Sequence, residues 1–258
     1  MPKLAANLSM LFTEVDFLDR FQAAARAGFK GIEYLFPYAY DKQDLARRLK
    51  DNGLVQVLHN MPPGNWEAGE RGIACHPDRV DEFKESVAKT IEYAQALHCP
   101  TVNCLAGKTP AGVDAAAVEH TFVSNLRYAA TELKKAGVLL VMEPLNTFDN
   151  PGFHLTHTAQ AVDLIKKVGS DNLKVQYDIY HMQRMEGELA NTLSKNLAFI
   201  GHIQLADNPG RHEPGTGEIN FPWLLHHIDT LGYAGWVSCE YKPAARTEDG
   251  LGWIKTLA

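Results

Sequence analysis

Residues 138–145 of the chain read VLLVMEPL, five apolar residues in succession followed by a glutamate and a proline. A continuous apolar run of this length is typical of a strand that is buried on both faces, as in parallel sheets. Similar runs recur along the whole chain, and together they predict eight strands. These are Leu4–Met10, Gly31–Phe36, Val55–Asn60, Thr101–Ala106, Val138–Leu145, Leu173–Tyr180, Ile200–Ala206 and Gly235–Tyr241.

Segments with a helical pattern separate the runs. Asp16–Ala27 begins with an acidic turn and stops at Gly28, which is a common signal for a helix end. Asp78–Leu97 carries its apolar residues on one face, as an amphipathic helix does. Segments of the same character are Ala115–Ala136, Thr158–Val168, Glu186–Leu197 and Phe221–Leu231.

The alternation of eight strands with helical segments predicts a (β/α)8 TIM barrel that occupies residues 1–258 as a single domain. A doubly wound sheet would be complete after about five or six strands and would leave a second domain unexplained. The glycine- and proline-rich segments each follow a predicted strand, where a barrel carries its active-site loops. They are Met61–Gly72, Gly107–Gly112 and Asn208–Gly217.

The composition is that of an ordinary globular protein. Hydrophobic residues make up 45% and charged residues 22% of the 258, and the formal net charge is −6. We therefore expect no nucleic-acid partner and no anionic membrane surface. No apolar run reaches the roughly 18 residues of a membrane span, and the first residues do not resemble a signal peptide. The sequence is compatible with a homo-oligomer and does not define one.

The cysteines form no C-x-x-C motif, and two of them lie within predicted strands, where a thiol usually acts as a small buried hydrophobic group. This usage predicts a reducing, cytoplasmic location. The four residues are Cys75, Cys99, Cys104 and Cys239.

Polar side chains lie near the ends of four consecutive predicted strands. They are Glu143, Asp178, Gln204 and Glu240. A single carboxylate at a strand end is often only a salt-bridged terminus, because burial of an unpaired charge is costly. Four such residues at the face where barrel sites lie predict a shared metal site instead. Three carboxylates and one amide oxygen form an all-oxygen set, which suits Mg²⁺ or Mn²⁺.

Strand alternation offers a check on this site. Gln176, His202 and Ser238 lie two residues before Asp178, Gln204 and Glu240, so each pair shares a face. If the terminal residues point into the barrel mouth, the earlier ones lie one layer deeper and support the ligands. The alternative, in which they face the helices, buries the same polar groups without an evident partner.

Several blocks closely resemble the hydroxypyruvate isomerase family, which belongs to the xylose isomerase-like barrels together with the ketose 3-epimerases. The resemblance extends almost from Ala5 to Trp253 and implies the barrel fold. The blocks are LAANLSMLF (4–12), LHNMPPGNWEAGERGIA (58–74), NCLAGKTPAG (103–112), MEPLN (142–146), QYDIYHMQRMEGE (176–188), HIQLADNPGRHEPGTGEIN (202–220) and CEYKP (239–243).

The resemblance implies roles for the residues that match the family's motifs. Glu143, Asp178, Gln204 and Glu240 match its metal ligands, and Gln204 stands where the epimerases usually have histidine, which favours a harder ion than zinc. Glu143 and Glu240 would also move a proton between adjacent carbons through an enediolate. The expected reaction interconverts hydroxypyruvate and tartronate semialdehyde, with a divalent metal and without a nicotinamide.

Residues around this set are candidates for substrate binding. The resemblance implies that His181 contacts a substrate oxygen and that Arg211 contacts the substrate, where its guanidinium would pair with a carboxylate in a bidentate fork. His59 and Asn103, at strand ends, either line the pocket or are buried polar groups satisfied by packing. Nearby loop residues have two interpretations as well. Glu70 and Arg71 form either a lid or a surface ion pair, and Trp66 either covers the substrate or packs locally.

Other functions remain open at this stage. A 2-oxo-tetronate isomerase shares several of the blocks and uses a substrate one carbon longer. A ketose 3-epimerase is less consistent with Gln204. An endonuclease IV-type DNA repair enzyme would need several zinc ions and a basic surface, and the net charge of −6 argues against it. A non-catalytic sugar-binding barrel would not need both glutamates.

Overall fold

The computed structural model describes residues 2–256 and contains a closed barrel of eight parallel strands. Each strand pairs with the next along the chain, and β8 pairs with β1, so the barrel has no open edge. The predicted (β/α)8 architecture is therefore confirmed. The strands are β1 (Lys3–Asn7), β2 (Gly31–Tyr34), β3 (Val55–Asn60), β4 (Thr101–Cys104), β5 (Leu139–Met142), β6 (Leu173–Asp178), β7 (Ile200–Leu205) and β8 (Trp236–Cys239).

The helices surround the barrel. The six predicted helical segments are present, most of them within two residues of the expected ends. None of the helices in the described chain is both long and apolar enough to cross a membrane. The helices are α1 (Phe17–Arg26), α2 (Lys42–Asn52), α3 (Val80–Ala96), α4 (Ala115–Lys135), α5 (Thr158–Val168), α6 (Ile179–Met185), α7 (Leu189–Asn196), α8 (Phe221–Thr230), α9 (Thr247–Gly250) and α10 (Gly252–Thr256).

Helix α2 was not among the predicted helical segments, although the sequence carries its boundary signals. The side chain of Asp41 accepts hydrogen bonds from the backbone N–H groups of Gln43 and Asp44, as an N-cap residue does. Gly53 ends the helix in a left-handed conformation with φ of 61°. The segment between them has few apolar residues, so its apolar face is narrow.

The predicted segments Leu173–Tyr180 and Glu186–Leu197 require correction. Strand β6 ends at Asp178, and the next residues begin α6 because Asp178 caps that helix. Helix α7 begins only at Leu189, since Gly187 and Glu188 both have positive φ and interrupt the helical path.

The barrel interior is divided into two layers. A small apolar cluster contains Ala5, Val57, Leu58 and Val141. These residues come from β1, β3 and β5, which are not neighbours in the sheet, so they meet across the interior. The larger hydrophobic core lies elsewhere, chiefly between the strands and the helices. Polar side chains fill the interior above the apolar cluster, towards the carboxyl ends of the strands.

Candidate metal centre and active site

A cavity of about 310 Å³ opens at the carboxyl ends of the strands. Its wall includes residues at or after the end of each of the eight strands, and Glu143, His181, Arg211 and Glu240 are among them. The predicted face of the barrel therefore carries the cavity. Two of the carboxylates lie just beyond their strands, because β5 ends at Met142 and β8 at Cys239.

Four side chains converge beside this cavity. Ligand atoms of Glu143, Asp178, His181 and Glu240 all lie within 4.8 Å of one another, and all four residues are buried. Three carboxylates this close in a buried site repel one another and need a compensating positive charge. A group of this composition can hold a metal ion.

The acidities of the three carboxyl groups reflect this crowding. Burial, followed by the charges of Glu240 and Asp178, raises the pKa of Glu143 well above its ordinary value. Burial raises the pKa of Glu240 to about 8, and Arg211 opposes the rise. Burial also raises the pKa of Asp178 to about 6, against the charge of Arg211. A bound cation would favour the ionised forms of all three groups.

Asp178 shows most directly that the site fits a cation. Its Oδ1 accepts hydrogen bonds from the backbone N–H groups of Tyr180 (2.8 Å) and His181 (3.4 Å) at the start of α6. Its Oδ2 is buried and has no hydrogen-bond partner within the described chain. A buried carboxylate oxygen without a partner is costly, and a metal ion held between the acidic groups would satisfy it.

The protonation of His181 follows from its neighbours. The backbone N–H of Asn146 donates to Nδ1 at 3.1 Å, and the Asn146 side-chain nitrogen lies 2.7 Å from the same atom. Burial lowers the pKa of His181 well below its usual value, so the ring is neutral and its proton is on Nε2. This Nε2–H lies 3.6 Å from Asp178 Oδ2. In this tautomer His181 is a donor into the site, which is compatible with the predicted contact to a substrate oxygen.

Gln204 is hydrogen-bonded to Glu240 and to two further buried polar residues, Glu33 and Gln176. Its Nε2 donates to Glu33 Oε1 at 2.7 Å and to Glu240 Oε1 at 3.1 Å, while its Oε1 accepts from Gln176 Nε2 at 2.6 Å. The two carboxylates accept hydrogen bonds, so they orient the amide with its nitrogen towards Glu240. For its oxygen to reach a metal beside Glu240, the amide would have to turn over.

Arg211 supplies the compensating positive charge. Its Nη2 lies 2.6 Å from Glu240 Oε2 and 3.7 Å from Asp178 Oδ2, and its guanidinium lies over the ring of Tyr180. Its loop is held by Asp207, whose carboxylate accepts from backbone N–H groups across residues 208–219. When the three carboxylates are ionised, Arg211 offsets one of their negative charges, and a divalent cation would offset the other two.

Sequence reasoning missed Glu33. This residue of β2 is fully buried and accepts from Asn7 Nδ2 at 2.9 Å, with His202 Nε2 2.7 Å from its other oxygen. Burial alone would raise its pKa, but the proximity of His202 together with hydrogen bonds from its neighbours, His202 and Gln204 among them, lowers it. The one available signal was a glutamate in the middle of the apolar run GIEYLF. His202 and Gln176 do face the interior, as the strand alternation predicted.

Other candidates fall into two groups. Asn103 belongs to the site, because its Nδ2 donates to Glu143 Oε2 at 3.0 Å. His59 is not on the cavity wall. Its ring is fully buried against Tyr38, neither nitrogen has a partner within the described residues, and burial lowers its pKa to about 3.

Of the two interpretations of Glu70 and Arg71, the ion pair between them is not formed. Glu70 Oε1 pairs with Arg79 Nη1 at 2.6 Å, while the guanidinium of Arg71 stacks on Trp66, 3.8 Å from the ring centroid. Sequence neighbours in a loop point in different directions, so adjacency was a poor guide to pairing.

The profile of the family described as Xylose isomerase-like TIM barrel matches residues 21–257. The chain belongs to this family. It is 57% identical to hydroxypyruvate isomerase from Escherichia coli (strain K12), over 98% of this chain and 98% of that protein. It is 47% identical to 2-oxo-tetronate isomerase from Cupriavidus necator, over 99% of this chain and 98% of that protein.

A solved structure of a Brucella melitensis protein, described as AP endonuclease, family 2, superposes with a TM-score of 0.97. The two sequences are 48% identical, and the match covers 99% of both chains. A further solved structure, of 3-keto-D-glucoside 4-epimerase from E. coli, has a TM-score of 0.84 at 21% identity and shows a shared fold only.

Proposed function

We propose that this protein is a metal-dependent hydroxypyruvate isomerase that interconverts hydroxypyruvate and tartronate semialdehyde. The observation that carries the proposal is the pair of buried glutamates, Glu143 and Glu240, on the wall of one small cavity and within 4.8 Å of Asp178. The 57% identity to the E. coli hydroxypyruvate isomerase over nearly the full length supports the choice of substrate.

The reaction requires a proton to leave one carbon and another to reach its neighbour. One glutamate removes a proton from C3 of hydroxypyruvate, and the electron pair forms the C2–C3 double bond of an enediolate. The other glutamate delivers a proton to C2, and the proton of the C3 hydroxyl passes to the C2 oxygen, so that C3 becomes the aldehyde carbon and C2 carries the hydroxyl. No electrons leave the substrate, so the reaction needs no nicotinamide. When no metal ion is bound, burial raises the pKa values of both carboxyl groups. The acid role requires that one of them keep its proton when the metal is present, while the other is ionised and acts as the base.

Other side chains position the substrate and balance charge. The Nε2–H of His181 would donate to a substrate oxygen, and Arg211 holds Glu240 while facing the cavity. We assign His59 no contact with the substrate, since it does not line the cavity and its ring packs against Tyr38.

Glu143, Asp178 and Glu240 would hold the metal, with Gln204 as a fourth oxygen ligand if its amide turns. Hard oxygen donors favour Mg²⁺ or Mn²⁺. When bound, the ion supplies Lewis-acid polarisation of the substrate oxygens. The four buried thiols without disulfides support our further proposal of a reducing, cytoplasmic location.

The main alternative substrate is 2-oxo-tetronate, which the 47% identity to the C. necator enzyme favours. The test is a paired assay of catalytic efficiency on hydroxypyruvate and 2-oxo-tetronate, with and without a chelator. We expect the higher efficiency on hydroxypyruvate and the loss of both activities on chelation. A higher efficiency on 2-oxo-tetronate would transfer the proposal to that substrate, and no isomerisation of either acid would refute it.

The similarity to the Brucella protein, described as an AP endonuclease, raises a nuclease as a second candidate. The described residues contain one group of acidic and histidine side chains suited to a metal, and the net charge is −6. Metal analysis separates the two functions, since an isomerase of this kind should hold about one ion per chain and an endonuclease IV-type enzyme about three zinc ions. Cleavage of abasic-site DNA provides the direct control.

A further inference from the structure

Three cationic side chains line the cavity: Arg71, Arg211 and Lys242. The proposed substrates are carboxylic acids, so at least one cation should bind the carboxylate. Because a carboxylate is best recognised by two parallel N–H donors, the orientation and existing partners of each cation decide between them.

Arg211 is already engaged. Its Nη2 is hydrogen-bonded to Glu240 Oε2 at 2.6 Å, and three buried carboxylates surround it. Burial by itself would lower the pKa of Arg211, but the charges of Glu240, Asp178 and Glu143 raise it above its usual value. Its charge offsets that of the metal ligands, so it offers little net attraction to a further anion.

Arg71 differs from Arg211 in its partners. Its Nη1 donates to the backbone carbonyls of Trp66 (3.2 Å) and Glu70 (2.7 Å), both neutral groups, and its guanidinium lies over the Trp66 ring. Trp66 is in turn packed edge-on against Phe36. The guanidinium is thus fixed in place, while its Nε–H and Nη2–H have no acceptor among residues 2–256. These two donors form one edge of the guanidinium and match the spacing of a carboxylate.

Glu70, the acidic residue next to Arg71 in the sequence, does not neutralise its charge because it pairs with another residue. Glu70 pairs with Arg79 at 2.6 Å and also accepts from the backbone N–H of Asn65. Arg79 is in addition bonded to Glu82, so Glu70 is part of a network directed away from the cavity. The positive charge of Arg71 therefore has no carboxylate partner in the described chain.

Lys242 adds a second free charge. It follows β8 on the same loop as Glu240, and its backbone is fixed by hydrogen bonds to Arg211 and His212. Its ammonium group has no acidic partner within residues 2–256. Since the side chain is exposed, it should contribute less than Arg71.

We propose that Arg71, with Lys242 in support, binds the carboxylate of the substrate and selects acids over neutral sugars. This proposal rests on the proposed isomerase function, because that function is what makes the substrate a carboxylic acid. It places recognition of the acid on the loops after β3 and β8, apart from the metal ligands, and leaves Arg211 to balance the charge of those ligands.

A binding experiment tests the proposal without turnover. Glycerate shares the carboxylate and the C3 hydroxyl of hydroxypyruvate but has a hydroxyl in place of the C2 ketone. It cannot isomerise, so calorimetry with the Mg²⁺-loaded protein reports binding alone. We expect Arg71→Met to weaken glycerate binding about 10- to 100-fold, as loss of a charged hydrogen-bonding partner does. Arg71→Lys keeps the positive charge but loses the paired N–H donors, so its affinity for glycerate should lie between those of the wild type and Arg71→Met. Lys242→Met should weaken glycerate binding about 2- to 5-fold. Arg246→Met, exposed on the β8 loop and absent from the cavity wall, is the matched control.

A kinetic experiment locates the effect. In Arg71→Met the KM for the preferred acid should rise by a similar factor with kcat little changed, whereas turnover of the neutral analogue dihydroxyacetone should stay as in the wild type. Wild-type affinity for glycerate in both Arg71 variants would overturn the proposal, as would absence of glycerate binding to the wild type. If the wild type binds glycerate through Arg71 yet isomerises neither acid, the proposed function fails and the carboxylate site stands. Thermal melting identifies any variant that fails to fold, and Arg71→Lys then carries the test.

Discussion

The two layers of the barrel interior are built from opposite kinds of side chain. The lower layer consists of Ala5, Val57, Leu58 and Val141, whose side chains bury apolar surface and contain no group that needs a hydrogen-bond partner. The upper layer collects carboxylates, amides and histidines that are equally buried. Burial stabilises the first group and raises the free energy of the second, because ionised groups lose their hydration. The comparison indicates that the lower layer supports the fold, while the upper layer is retained for its chemistry.

The sharpest way to test this division is to neutralise the two glutamates. Glu143→Gln and Glu240→Gln should each reduce kcat by about 10²- to 10⁴-fold, the usual contribution of a positioned acid or base. Both variants should remain folded, and the metal-free protein should not be less stable at pH 8, since a repelling charge has been removed. Steady-state kinetics and thermal melting check this, with the exposed Glu85→Gln as control. Full activity in both variants would rule out the two-carboxylate mechanism.

The lower layer should respond in the opposite sense. Leu58→Ala removes buried apolar volume and should lower the free energy of unfolding by about 2–5 kcal/mol. The kcat of the folded fraction should be nearly unchanged, because Leu58 does not line the cavity. Denaturant unfolding measures the loss, and Leu58→Met, which keeps the volume, should cost less than about 1.5 kcal/mol. A large fall in kcat with little loss of stability would show that the layers are not separable.

The sequence allowed the strands and the carboxylates near their ends to be predicted because both depend on local pattern. Apolar runs define strands, and carboxylates such as Glu143 and Asp178 interrupt them where each strand ends. Partnerships between distant residues leave no such pattern. Glu33 meets His202 across 169 positions, and the tautomer of His181 depends on a residue 35 positions away. These contacts are set by closure of the barrel, which no local pattern encodes.

Loop residues illustrate the same limit at short range. The pairing of Glu70 with Arg79, rather than with its neighbour Arg71, is decided by the path of the loop. Asp178 shows a related ambiguity, since it is both the last residue of β6 and the cap of α6. A strand pattern that continued into Tyr180 concealed the start of that helix.

Glu33 belongs to the upper layer but is not one of the proposed metal ligands, and it provides an intermediate test. It accepts hydrogen bonds from Asn7 and Gln204, which both also donate to Glu240. Glu33→Gln should therefore disturb the orientation of the ligands and weaken Mg²⁺ binding about 10- to 100-fold. Calorimetric titration with Mg²⁺ measures the change, and Glu85→Gln, which removes the same charge at the surface, is the control. Unchanged affinity would mean that Glu33 only fills space beneath the site.

The smallest expected effect is a pH dependence of metal stabilisation. In the metal-free protein the pKa values of Asp178 (about 6) and Glu240 (about 8) exceed those of unfolded carboxyl groups. These two groups therefore contribute stability that is fully present below about pH 4 and is lost as the pH rises through 6 and 8. Bound Mg²⁺ requires the ionised forms and removes this loss. The melting temperature of the Mg²⁺-loaded protein should therefore exceed that of the chelator-treated protein by a margin that grows as the pH rises from 5 to 8. For each proton that the metal displaces, this margin should grow by about 2–4 °C per pH unit. In Glu240→Gln one titrating group is gone, so the difference in melting temperature should grow less with pH. A difference that stays constant with pH in the wild type would contradict a metal site built on these carboxylates.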